Sequence, residues 1–294
     1  MRLNREEERY GYALITPSMV IVFGVIIIPI ITTLVYSFVN IDPLSSHNGE
    51  FAGLSFYQKA LTSSAFWEDL GRTLYFTVTS TALETLFGLM IALLLNEEFP
   101  GVRFLRSIII IPWAIPTVVN GSLWKLMLNG EYGVINAILQ RLHLIDAYQS
   151  WLGNPGTAML CIVVADTWKM TPLAVIFFLA ALQGLDKTRY EAAMVDGAGA
   201  FRRFTALTLP TLKPTILVII VMRTVEKFKA FDIFYLMTRG GPANSTKTLM
   251  YDTYLQAFTN LNYSEAATLA YLIVLVVIML TLAYIRLMKR GDER

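Results

Sequence analysis

The sequence predicts an all-α integral membrane protein with six transmembrane helices and both termini in the cytoplasm. Three observations lead there. Of its 294 residues 55% are hydrophobic and only 16% charged, against about 25% charged in a typical soluble domain, and the mean hydropathy is +0.54. Apolar stretches recur at about the 20-residue length that a helix needs to cross a bilayer. Basic residues are spread unevenly over the segments between those stretches. The same numbers exclude other classes. The apolar content is too high for a disordered chain. A net charge of +2 gives no basic surface for nucleic acid, and the single cysteine, Cys161, excludes a disulfide scaffold.

The spans are expected at about 12–38, 73–95, 107–128, 157–183, 212–238 and 265–287, within one transmembrane domain covering 1–294. No charge occurs between Gly11 and Ile41; that run exceeds the roughly 7–15 apolar residues of a signal-peptide core and is read as a retained span. Alternating ten-residue barrel strands are not visible, so helix is the default. With six spans the termini share a side. That side collects fourteen basic residues, including Arg2, Arg5, Arg9, Arg103, Arg106, Lys213 and Arg294, while the opposite segments hold six. Excess Lys and Arg mark the cytoplasmic face. The outer segments, about 39–71, 129–156 and 239–263, are too short for separate domains. Trp67, Trp151, Tyr10, Tyr12 and Tyr132 near span ends read as an interfacial aromatic belt.

Charges inside spans are expensive and must be paired or line a polar cavity. Glu84, alone in the second span, is expected to bond inside the bundle. Asp166 and Lys169 in the fourth have i, i+3 spacing and are read as an ion pair. The fifth span carries Arg223, Glu226, Lys227, Lys229 and Asp232. Two readings stand: Arg223 with Glu226 and Lys229 with Asp232 as internal pairs, or a polar solute path near the membrane centre. The uncharged arc holds Thr224, Phe228, Phe231 and Tyr235, and aromatic rings cover the apolar side of a sugar ring. Pro112 and Pro116 are expected to kink the third span, with Asn120 placed to bond a freed carbonyl.

The longest cytoplasmic segment, 184–214, is rich in alanine rather than in Ser, Pro and Lys. Ala192, Val195 and Gly199 share a helical face, as do Phe201, Phe204 and Thr208. Gly197 and Gly199 interrupt the run, so two short helices with a glycine bend are expected, and the alanines allow another surface to approach closely. Glu191 is placed near the start of the first helix.

This segment, Glu191-Ala192-Ala193, three residues, Gly197, then Leu209-Pro210, resembles the EAA loop of binding-protein-dependent ABC importer permeases. Nearly the whole chain shares the likeness: Pro29 and Tyr36-Ser37-Phe38, Asn136 with Leu139, Trp151-Leu152, and Gly240-Gly241-Pro242-Ala243-Asn244-Ser245-Thr246 with Tyr254 and Ala257-Phe258 are similar to the carbohydrate-uptake branch. The resemblance implies the maltose-permease/MetI-like permease fold in a prokaryotic cytoplasmic membrane. It implies import of a sugar or oligosaccharide, with Glu191, Ala192, Ala193, Asp196 and Gly197 coupling the chain to an ATPase. It places solute contacts in the fifth span at Lys229 and Asp232, with Glu226, Tyr235 and Phe231 beside them. The partners implied are a second permease subunit, two cytoplasmic ATPase subunits and an extracytoplasmic solute-binding protein.

No Gly-Lys-Thr or Gly-Lys-Ser occurs, so the chain lacks a phosphate-binding loop. ATP and magnesium are expected in the ATPase subunits, with no cofactor, metal or catalytic group on this chain. The family often has neutral amides where this chain has charges in the fifth span, which admits glycerol phosphate as another solute. A stand-alone secondary transporter and an intramembrane enzyme are the readings from other classes. For the latter, neither His47 nor His143 falls in a span, no Gly-x-Ser-x-Gly or His-Glu-x-x-His is present, and Asp166 with Asp232 is the one conceivable acid pair.

Overall fold

The computed structural model describes residues 5–43 and 46–292. Arg2 and Arg294, counted above for orientation, lie outside the described residues. Among the described residues the chain is helical, with one isolated antiparallel bridge between Val39 and Phe51. Five helices are long and apolar enough to cross a membrane: Arg9–Tyr36, Ser64–Asn96, Pro155–Gln183, Ala200–Phe228 and Tyr263–Arg286. A bent pair, Val102–Ala114 with Thr117–Met127, makes a sixth if it counts as one span.

Contacts divide the chain into two compact units. One comprises residues 1–66 and 252–272. Its first helix carries no charge after Arg9 and passes through a π-helical turn at Val22–Ile27. Ser264 organises the segment after it: its hydroxyl donates to the Val39 carbonyl (2.5 Å) and accepts from the Ile41 N–H (2.6 Å). The Tyr57 hydroxyl donates to Ser37 (2.8 Å), Tyr271 donates to the Ile30 carbonyl (2.6 Å), and Lys59 pairs with Glu265.

The other unit comprises residues 67–251 and 273–294. The second span begins its helix at Ser64, ahead of the apolar run, because Glu68, Asp69 and Arg72 belong to its first turns and pair along one side. The fourth span starts on an Asn154 cap, whose side chain accepts from the Gly156 N–H (2.9 Å), and carries Pro155 in its first turn. It is the most buried of the candidate spans. Gly88 of the second span lets it approach: a Cβ there would lie 2.5 Å from the Ala174 Cβ, the close contact of small residues typical of membrane helices. Ala92, Leu95, Ala174, Val175, Phe178, Leu182, Leu212 and Ile219 form the apolar core around that contact.

Two expectations are corrected here. The third span is not one kinked helix: its halves meet at 92°. Ile115 is extended (ψ 128°) because it precedes Pro116, and Pro116 (ψ 143°) starts the second half. Asn120 donates instead to the Ala165 carbonyl of the fourth span (3.3 Å). The segment 184–214 holds one short helix, not two. Lys187–Val195 ends at Gly197 (φ +77°), but the helix beginning at Ala200 runs through a π-helical turn at Phe204–Thr208 and on to Phe228. Pro210 directly follows that π turn, where the looser winding accommodates a residue with no N–H to give.

Candidate functional site

The second and fifth spans meet through charge. Glu84 is fully buried and accepts from Arg223 Nε (2.7 Å) and Nη2 (3.4 Å) and from Lys227 Nζ (2.6 Å). Arg223 and Lys227 are four apart, so one helical face presents both cations to one carboxylate. Arg223 also pairs with Glu226, and Lys227 with Asp166 of the fourth span. The Lys227 ammonium lies 5.1 Å from the centre of the Phe76 ring, which packs edge-on against Phe234 (4.8 Å). Two carboxylates, Glu84 and Asp166, and two cations thus join three spans. Above Glu84 on the second span, Thr73, Thr77, Ser80 and Thr81 are buried on the same face. The Thr73 hydroxyl there donates to the Asp69 carbonyl (2.7 Å).

The fifth-span helix stops at Phe228, and Lys229–Phe231 separates it from the short helix Asp232–Met237. That helix packs on Thr117–Met127, where Gly121 leaves room for Leu236: a Cβ at 121 would be 3.2 Å from the Leu236 Cβ. A cavity of about 220 Å³ opens at this break, lined by Glu226, Lys229, Phe231 and Asp232, with Asp166, Arg223 and Lys227 at its charged wall. Lys229 and Asp232 are exposed and, among the described residues, neither makes an ion pair; their expected mutual pairing is therefore absent. Tyr235 faces a different cavity of about 330 Å³, beside Arg239 and Tyr132, while Phe231 stacks on Tyr251 (5.9 Å).

The Asp166–Lys169 pair is also corrected: Asp166 turns to Lys227, and Lys169 is buried without an ion pair among the described residues. Asp166 and Asp232 do line one cavity, yet Asp166 is committed to a cation. Thr117 and Met170, which line the same cavity, carry no sequence signal of it.

At the other end of this unit, Glu191 faces a cavity of about 1010 Å³ shared with Glu97, Arg103, Arg106, Tyr190 and Met194. Arg106 closes the end of the second span by donating twice to the Leu95 carbonyl (2.6 and 3.1 Å), as a cation at a helix C-terminus should. The helix Lys187–Val195 is capped by Asp186, which accepts from the Thr188 N–H (2.9 Å). Glu191 is therefore mid-helix and not a cap, contrary to its expected place near the start. Tyr190 ties this helix to Thr208. Gly197 and Ala198 close its end by donating to Met194 (3.1 Å) and Ala193 (2.9 Å). Ala192 and Asp196 are exposed and Ala193 half-buried. Val195 is 88% exposed and Phe201 80%.

Two further motifs, around Asn136 and Gly240, are structural. Asn136 is fully buried, accepts from Gln149 N (3.1 Å) and Trp151 Nε1 (2.8 Å), and donates to the Asn129 and Gln149 carbonyls (3.0 Å each). Gly240 (φ +79°) lies under the Tyr251 ring, where a Cβ would be 2.8 Å from Cε1. Thr246, buried beside it, bonds Thr238 (2.7 Å) and the Gly241 carbonyl (2.8 Å).

Long apolar helices, ion pairs buried between them and a polar cavity at a helix break define a membrane transport component. Residues 84–294 match the family described as binding-protein-dependent transport system inner membrane component, and the chain belongs to that family. It is 37% identical over 288 residues to the trehalose/maltose transport system permease protein MalF of Thermococcus litoralis, covering 97% of this chain and 95% of that one. It is 32% identical over 279 residues to the sulfoquinovosyl glycerol transport system permease protein SmoG of Agrobacterium fabrum, covering 95% and 90%. Its fold is that of a chain from a bacterial ABC transporter involved in import of the acidic polysaccharide alginate, with a TM-score of 0.83, 21% identity, and 97% and 96% coverage. The chain is thus an inner membrane component of an ABC importer, a transport protein by family.

Proposed function

We propose that the chain is a permease subunit of an ABC importer for carbohydrate. It would pair with a second permease and take energy from two cytoplasmic ATPase subunits, which hold the ATP and magnesium. An extracytoplasmic solute-binding protein would deliver the sugar. The relatives named for saccharide transport support the solute class. The observation that carries the reading is the cavity at the break after Phe228, where polar groups meet the aromatic Phe231 inside a span. Irregular backbone at membrane depth is tolerated only where it is covered by protein or lines a cavity, and transporters bind solutes at such broken helices.

Coupling runs through Lys187–Val195. Glu191 accepts charge-assisted bonds from a basic side chain of the ATPase. The exposed Val195 and Phe201 give it apolar area to cover. Both termini lie in the cytoplasm on this reading, supported by the excess of basic residues on their side. No catalysis and no cofactor are assigned to this chain. Co-purification with a second permease and an ATPase, and saccharide uptake into liposomes that needs both ATP and the solute-binding protein, are the expected results. Solute flux or ATP turnover by the pure chain alone would contradict the reading.

A further inference from the structure

Resting on that reading, we infer that the solute is an uncharged polyhydroxyl compound and that acidic saccharides are rejected at the cavity beside Lys229. Three carboxylates, Asp166, Glu226 and Asp232, and three cations, Arg223, Lys227 and Lys229, line it. The lining therefore carries no net charge to draw in an ion.

The distribution of donors and acceptors carries the inference further. The two cations in the wall are spent on protein. Arg223 directs its guanidinium at Glu84 and Glu226, and Lys227 directs its ammonium at Glu84, at Asp166 and over the Phe76 ring. Both are almost fully buried, Arg223 and Lys227 at 2% exposure each. The carboxylates are only partly spent. Asp166 is held by Lys227 and one oxygen of Glu226 by Arg223, but the other Glu226 oxygen and both oxygens of the exposed Asp232 remain, and an ionised carboxylate only accepts hydrogen bonds. The groups on offer are thus mostly acceptors, which suit the hydroxyl donors of a sugar. A carboxylate, sulfonate or phosphate brings only acceptors, and would face Glu226 and Asp232 as like charges. Lys229 is the one cation in the lining without an ion pair among the described residues, and Asp232, three residues on, offsets its field. Phe231 supplies the apolar face that a sugar ring needs.

The test uses the assembled importer in detergent, without its solute-binding protein, so that the permease alone selects. Saturation-transfer NMR is read with maltose, trehalose and cellobiose, and with their acidic counterparts maltobionate, trehalose 6-phosphate and cellobiuronate. At least one neutral disaccharide is expected to bind about tenfold or more tightly than its acidic counterpart, the order that one unfavourable charge contact sets. Glu226→Gln together with Asp232→Asn should narrow that ratio, because the lining then becomes net positive. Acidic sugars binding as well as neutral ones would overturn the inference and leave the carbohydrate reading intact. If none of the six binds while a non-saccharide solute does, both fail. A double variant that retains its assembly with the ATPase but shows an unchanged ratio would remove these two carboxylates from the selection and overturn the assignment.

Discussion

Within the spans, Glu84, Asp166, Arg223 and Lys227 are charged and lie inside; on the segment 187–201, Val195 and Phe201 are apolar and lie outside. Glu84, Asp166, Arg223 and Lys227 find their counter-charges within the chain. Val195 and Phe201 find no such cover, and Glu191 sits on an open cavity. The difference separates what this polypeptide does for itself from what it leaves to a partner. Changes in the first region should damage folding, and changes in the second should damage assembly with folding intact.

The largest effect is expected at Glu84. Glu84→Leu leaves two buried cations short of a carboxylate, which costs about 3–5 kcal/mol, read as lost membrane level and a lower Tm of the purified complex. Glu84→Leu with Arg223→Leu should be markedly less damaging, because Lys227 keeps Asp166 and Glu226 is half-exposed. Equal damage in the single and double variants would break the comparison at its charged end.

A second effect is functional. Asp232→Asn should change transport or solute preference more than Asp252→Asn, with both proteins reaching the membrane at wild-type level. Equal transport by the two would take Asp232 out of the solute path. Asp186→Ala comes next: loss of the cap bonded to Thr188 costs about 1 kcal/mol of local helix stability, seen as faster amide exchange over Lys187–Val195 with an unchanged global Tm. Smallest in stability is Val195→Ser, an exposed change expected within about 0.5 kcal/mol, yet it should lower ATPase co-purification. A drop in Tm with unchanged co-purification would reverse the roles given to the two regions.

How much of this was legible in the sequence depended on the range of the interaction. Charge-free runs such as 266–285 mark a span without help from any other segment. The pairing of Arg223 with Glu226 is local and was readable from spacing. The partner of Lys227 was not, because Glu84 lies 143 positions away and only folding brings it near. The same arrival of Lys227 explains why Asp166 does not pair with Lys169. Hydropathy also carries no direction, so the 92° turn at Ile115–Pro116 read as a kink. At Ala200 the opposite happened: a second short helix was expected, and a π-helical turn at Phe204–Thr208 carries it on into the fifth span. Gly197 was legible, and its φ of +77° is the reason glycine serves there. The cap at Asp186 moved Glu191 from the helix start to its middle, which removes a dipole role and leaves its side chain to the cavity.

The central claim, that a self-sufficient membrane body is driven through Lys187–Val195, is tested most directly by Glu191→Ala in the complete importer reconstituted in liposomes. Membrane level and Tm should match wild type, since Glu191 is exposed and makes no ion pair among the described residues. ATPase co-purification, or saccharide uptake per ATP hydrolysed, should fall by at least about tenfold, the size expected when one member of a desolvated charged pair is removed. Wild-type uptake and wild-type ATPase association in this variant would contradict the account.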